Sequence, residues 1–248
     1  MLLITRPAGK ADNLLASLDD AAIAYVYQPL ITTQMMPLRP RDISAIASAE
    51  LLIFVSLSAV HALEQQLTAA QLPASAPLLA VGQTTAAALQ RWSGREVWVP
   101  EDQRSEGLLQ LPVLQQVAGR QVVIVRGNGG RELIRQQLLS RSAEVRYVQS
   151  YKRLPLPLDG LQLSRQWQQQ GIRCIVATSN EILLQMFYLL PPEQHHWLRQ
   201  CHWILVSPRV RDSALAQGIA PGHIWLAANA NDQALLATIQ QYKRDNYD

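Results

Sequence analysis

Between Gln121 and Arg153 the chain reads QVVIVRGNGGRELIRQQLLSRSAEVRYVQSYKR, a stretch that gathers three kinds of residue able to act on an anion. Gly127, Gly129 and Gly130 permit backbone geometry closed to residues with a Cβ. Arg126 and Arg131 flank them and supply charge-assisted donors. Tyr147 and Tyr151 add phenols, which are protonated at neutral pH and can give a hydrogen bond or a proton to a departing group. Arg153 closes the stretch two residues after Tyr151. The chemistry on offer is reception of phosphate or carboxylate beside a candidate acid.

These residues need elements to hold them. Val122 to Val125 is a β-branched run suited to a buried strand, and Leu133, Ile134, Leu138 and Leu139 recur at helical spacing. The glycines are therefore expected at a helix N-terminus, where free N–H groups and the helix dipole attract anions. A nucleotide fingerprint is not met: Glu132 stands where a dinucleotide turn wants a small residue, and no Lys-Ser/Thr follows to make a P-loop. A strand-to-helix turn that needs glycine only for its geometry has the same composition, so that reading stays open.

The same rhythm runs through the chain. Strand-like and helical patterns alternate at Leu2 to Thr5, Asn13 to Leu18, Leu51 to Val55, Ala59 to Leu67, Leu78 to Val81 and Thr85 to Leu89, and again from Cys174 to Tyr242. Such alternation predicts an α/β fold with parallel sheets. FVSLSAVHAL, LLAVGQTTAAAL and EVWVP are echoed in order by IVATSNEILL, WILVSPRVRDSAL and HIWLA, which predicts two similar flavodoxin- or Rossmann-like domains. Tyr25 to Met36 and Glu144 to Arg153 read as long strands, each followed by prolines. Bracketing the middle of the chain, they predict one domain inserted into the other: residues 1–30 and 155–248 as the first, 45–142 as the second, and 31–44 and 143–154 as a two-stranded β-ladder linker.

Parallel sheets bind ligands beyond the carboxyl ends of their strands. The turns expected there carry Arg6; Ser56 and Ser58; Gly82, Gln83, Thr84 and Thr85; Arg126, Gly127, Asn128 and Gly129; Thr178, Ser179 and Asn180; Ser207 and Arg209. Each is also an ordinary helix-cap signal. Their shared small, hydroxylic or basic character, almost free of carboxylates, favours a ligand with many anionic acceptors. Lys and Arg outnumber Asp and Glu by only 22 to 19, scattered rather than clustered, which fits a small acid better than nucleic acid. No apolar run approaches a membrane span, MLLITRP has a strand pattern rather than that of a signal peptide, and a cytoplasmic protein is expected. Cys174 and Cys201 form no CxxC, and His61, His195, His196, His202 and His223 form no HxH or HExxH, so no metal site is suggested.

Taken in order, LLITRP, FVSLSAV, AVGQTTAAAL, the RGNGGREL block with its following YKR strand, ATSNEIL and LVSPRVRDSALAQG resemble the uroporphyrinogen-III synthase family along nearly the whole chain. That resemblance implies two domains joined by a β-ladder, an active site in the cleft between them, and no metal or organic cofactor. It implies a carbon–oxygen lyase of heme and siroheme biosynthesis that closes hydroxymethylbilane into uroporphyrinogen III, losing water and inverting ring D through a spiro intermediate. The substrate's many carboxylates agree with the anion-receiving turns. Tyr151 falls where the family has a tyrosine proposed to help the ring A hydroxyl leave, with Tyr147, expected on the same strand face, as its rival. Thr85 matches a threonine of the VGxxTA motif. Ser56 and Ser58 fall in the TSxNAV turn, but Val55 replaces its Thr and Ser58 its Asn; Ser207 to Arg211 departs from Gly-x-x-Thr-Ala, leaving Arg209 to supply charge. The resemblance further implies a monomer that binds neither nucleic acid nor membrane, with a transient hand-off of substrate from hydroxymethylbilane synthase. Two alternatives compete: a cytosolic two-domain binding protein for an acidic small molecule, and a nucleotide- or sugar-phosphate enzyme using Arg126 to Arg131.

Overall fold

Short apolar runs and amphipathic stretches become strands and helices in alternation in the computed structural model, which describes residues 1–130 and 132–247. The chain order is β1 (Leu2–Ile4), α1 (Asp12–Asp20), β2 (Tyr25–Tyr27), β3 (Ile31–Met35), α2 (Pro40–Ala47), β4 (Leu51–Phe54), α3 (Leu57–Glu64), β5 (Leu78–Ala80), α4 (Gln83–Ser93), β6 (Val97–Trp98), α5 (Ser105–Leu108), β7 (Gln121–Gly127), α6 (Leu133–Ser140), β8 (Glu144–Pro155), α7 (Gly160–Gln169), β9 (Cys174–Ala177), α8 (Asn180–Leu189), α9 (His195–Gln200), β10 (His202–Leu205), α10 (Pro208–Ala216), β11 (Ile224–Leu226) and α11 (Asp232–Tyr247). The chain divides into two units, Met1–Thr32 with Leu154–Asp248, and Thr33–Arg153. Both division points fall inside strands, β3 and β8, which neighbour each other.

The first unit holds a sheet in the order β11-β10-β9-β1-β2. Its ladders are parallel, Leu3 lying opposite both Val26 and Ile175. Leu3, Ile175, Trp203 and Leu205 face Trp167, Leu183, Met186 and Phe187 of α7 and α8. Leu2, Ile4, Val176 and Ile204 face Leu14 and Leu18 of α1 and Leu235 and Ile239 of α11. A sheet covered on both faces needs strands apolar at every position, as these are.

The second unit holds a sheet in the order β3-β8-β7-β4-β5-β6, with β4 parallel to β5 and β7, and β7 parallel to β8. Leu52, Phe54, Val123 and Val125 pack against Val60 and Leu63 of α3 and Leu89 of α4. Leu51, Ile53, Val122 and Ile124 pack on the other side against Ile134 and Leu138 of α6. Phe54 meets Trp92 edge-on with ring centroids 6.4 Å apart, which fixes the end of β4 from which Ser56 follows. The strand order reverses between β4 and β7, the point of such a sheet where ligands enter.

Three sequence expectations are corrected. Tyr25 to Met36 is not one strand: β2 ends at Tyr27 on β1, and β3 begins at Ile31 beside β8. Pro29, which lacks an N–H, lies in the break, and the Gln28 N–H goes to Ile4 O at 3.0 Å. Residues 31–44 do not form only a strand, since Pro40, tolerated at a first helical position, opens α2. Its first turn is closed by Asp42, which accepts from Arg39 N at 3.1 Å and Arg39 Nε at 2.8 Å. The third concerns the face of Tyr151 and is set by a bulge. Residues 121–126 of β7 pair in even step with 144–149 of β8, but Gly127 lies opposite Tyr151 rather than Ser150. The extra residue turns Tyr151 onto the face of Val148, while Val145 and Tyr147 stay against the opposite core.

Candidate functional site

At the reversal point of the second unit, beyond the ends of β4, β5 and β7, a cavity of about 190 Å³ is lined by Val55, Ser56, Val81, Ser105, Ile124, Arg126, Gly129, Gly130, Ile134, Tyr147, Tyr151 and Arg153. Ser56 is the N-cap of α3, its hydroxyl accepting from Ala59 N at 3.2 Å. The same hydroxyl lies 3.0 Å from the Tyr151 hydroxyl. Arg153 Nη2 donates to the Tyr151 oxygen at 3.5 Å. Either hydroxyl can donate across this contact, and Ser56 can do so while its oxygen still accepts from Ala59. The phenol oxygen can then accept from both neighbours and keep its own proton for a third group.

Gly127 makes room for this phenol. A Cβ on Gly127 would stand 2.5 Å from Tyr151 Cε2 and 2.7 Å from Cζ, so the ring lies flat on bare backbone. Asn128 ties the turn to the strand, its Oδ1 accepting from Arg153 N at 2.8 Å and its Nδ2 donating to Arg153 O at 3.3 Å.

A second cluster lies across the cavity. Arg126 is 5% exposed. Its Nη1 donates to Glu132 Oε1 at 2.8 Å, and its guanidinium stacks 4.4 Å above the Tyr147 ring. The Tyr147 hydroxyl donates to Glu132 Oε2 at 2.7 Å. Burial, followed by the bond to Glu132, pushes the Tyr147 phenol up to about 12. The hydroxyl of Tyr147 and the guanidinium of Arg126 hold the Glu132 carboxyl below the ordinary glutamate range, against an opposing effect of burial. Tyr147 is thus a fixed donor, already committed to a carboxylate.

Of the residues expected from sequence, the cavity brings together Ser56, Arg126, Gly129, Tyr151 and Arg153. Gly127 and Asn128 are outside the lining and touch two residues of it, Tyr151 and Arg153. Ser58 lies half-buried in α3 outside the lining. Gly82 caps α4, where Gln83 N donates to Gln103 Oε1 at 2.9 Å. Thr84 is exposed, and Thr85 is 6% exposed within α4 rather than on the cavity wall. Arg131 lies outside the described residues. Arg6, Thr178, Ser179, Asn180, Ser207 and Arg209 belong to the other unit. There Arg6 pairs with Asp232 and donates to Ala230 O, Ser179 caps α8 and Ser207 caps α10. Thr178 and Ser179 are half-buried and Arg209 is exposed. Asn180 Oδ1 is buried with no hydrogen-bond partner among the described residues. The sequence reading missed Ser105 and Glu132; a carboxylate six residues after Arg126, across the glycine-rich turn, was the available signal for the latter. Among the described residues no group of His, Cys, Asp and Glu is placed to hold a metal ion.

The family model described as uroporphyrinogen-III synthase HemD matches residues 12–237. A uroporphyrinogen-III synthase of Escherichia coli (strain K12) is 36% identical over 246 residues, covering 96% of this chain and 99% of the relative. One from Salmonella typhimurium (strain LT2) is 34% identical with the same coverage. Among solved structures, a mutant uroporphyrinogen III synthase of the extremely thermophilic bacterium Thermus thermophilus superposes with a TM-score of 0.69 at 19% identity, covering 99% of this chain and 100% of its own. A uroporphyrinogen-III synthetase of Helicobacter pylori 26695 gives 0.63 at 15% identity, with 97% and 98% covered. At such identities these two likenesses speak to the fold alone.

Proposed function

The chain belongs to the uroporphyrinogen-III synthase family of carbon–oxygen lyases in tetrapyrrole biosynthesis, and we propose that it closes hydroxymethylbilane into uroporphyrinogen III at the cavity that holds Tyr151. The observation that carries this reading is a phenol whose oxygen lies 3.0 Å from Ser56 and 3.5 Å from Arg153, in a cavity that also contains the buried Arg126.

The chemistry follows from that placement. The C–O bond of the hydroxymethyl group on ring A breaks as Tyr151 gives its proton to the departing oxygen, and water leaves. Ser56 and Arg153 stabilise the phenolate left behind. The resulting azafulvenium cation is attacked by ring D through its substituted α-carbon, giving the spiro intermediate; the bond from that carbon to its original methylene then breaks and re-forms at the other α-carbon of ring D, across the nitrogen, which carries a hydrogen. Loss of a proton restores the pyrrole and returns Tyr151 to its neutral form. The electron-rich pyrrole itself assists ionisation, so the protein's larger task is to hold the chain for attack in one direction. Arg126 and the amide-rich turn from Gly127 to Gly130 support the reading by offering donors to substrate carboxylates.

The same reading takes the chain as a cytoplasmic monomer. No described helix is long and apolar enough to cross a membrane, Cys174 and Cys201 are free thiols, and each unit has its own covered sheet. A direct hand-off from hydroxymethylbilane synthase is part of it, supported by the readiness of the free bilane to cyclise unaided. The test adds the protein to fresh hydroxymethylbilane and separates the oxidised type I and type III products. Type III should predominate; type I alone from folded protein would refute the assignment.

A further inference from the structure

Glu132 closes the second cluster, and its position is that of a ligand. One oxygen takes the Arg126 guanidinium at 2.8 Å and the other takes the Tyr147 hydroxyl at 2.7 Å. A carboxylate bridging a guanidinium and a phenol is the geometry an incoming acid would itself adopt. Unlike the two groups it bridges, Glu132 comes from the turn before α6 rather than from the sheet, and its side chain is 46% exposed against 7% for that of Arg126. An ion pair with one half-exposed member holds weakly, whereas an unpaired guanidinium as buried as Arg126 is costly. The free protein therefore needs a partner for Arg126, and the partner it has is one that solvent can reach. Among the described residues there is room for an exchange beside it: a Cβ on Gly129 would meet none of them within 4 Å, and one on Gly130 would meet Arg126 Nη2 at 3.4 Å.

We propose that Glu132 is an internal stand-in for one carboxylate of the substrate, holding Arg126 and Tyr147 in place in the free protein and yielding both to an acetate or propionate side chain of the tetrapyrrole. Glu132 is then a positioning residue that competes with substrate, and the Arg126–Tyr147 pair is the subsite it keeps formed. The inference rests on hydroxymethylbilane being the substrate.

Steady-state formation of type III product by E132Q and E132A, each checked by thermal melting, tests it. Removing a competitor held about as strongly as a half-exposed ion pair should lower KM by about two- to fivefold, with a much smaller change in kcat. In an R126Q background, where no guanidinium remains to be freed, adding E132Q should leave KM where R126Q alone puts it. A KM in folded E132Q and E132A equal to or above that of the unaltered protein overturns the proposal, and so does loss of folding in both variants, which would make Glu132 structural. Failure of the unaltered protein to make type III product would instead overturn the reading on which the inference rests.

Discussion

Tyr151 is 2% exposed, yet its oxygen is the polar centre of the cavity, within reach of a helix-cap serine and an arginine. If it gives the proton that lets water depart, Tyr151→Phe should lower kcat for type III formation by about ten- to a hundredfold, at or below the low end of general-acid effects because the pyrrole shares the work. Ser56→Ala should weaken catalysis rather than abolish it, with stability down by about 1 kcal/mol for the lost cap. Both are read from initial rates and thermal melts of the purified variants, and a folded but inactive S56A would show that positioning is not the protein's main contribution. Residue type alone pointed to Arg126 and Tyr151 as candidates. It could not pair Ser56 with Tyr151, 95 positions apart, because nothing local to either residue records the other.

The bulge between β7 and β8 decides which phenol does what. In an unbroken strand, residues four apart share a face, so Tyr147 and Tyr151 would stand together. The register shift at Arg126/Gly127 separates them, sending Tyr151 toward Ser56 and leaving Tyr147 to Arg126 and Glu132. Gly127→Ala tests this directly, since its methyl group would occupy the space of the Tyr151 ring. The variant should lose about 1–3 kcal/mol of stability to overpacking, as seen in denaturant melts, and should lose type III activity along with it. Unaltered activity would mean that the ring's seat on the backbone is immaterial. The glycines were legible as a turn; the bulge was not, because one extra residue in a ladder is visible only once the partner strand is aligned.

Across the molecule, each unit has a sheet covered on both faces by its own helices, and Thr33–Arg153 begins and ends in strands that neighbour each other. Met36 N donates to Ser150 O at 2.9 Å, so the two ends of that segment are tied by backbone. Residues 33–153 expressed alone should therefore fold and melt cooperatively, as followed by circular dichroism; a disordered product would show that its two cores depend on the rest of the chain. Residue order alone carried the alternation of strand and helix, the burial of the strands and the small, hydroxylic or basic character of the turns that follow them. Those follow from side-chain periodicity and backbone permissiveness, which are local. That β2 and β3 part at Pro29, that Ser56 and Arg153 converge on Tyr151, and that Glu132 holds Arg126 came only with the folded chain. Register and long-range contact depend on where two distant segments meet, and a one-residue shift in a ladder is enough to exchange one phenol for another.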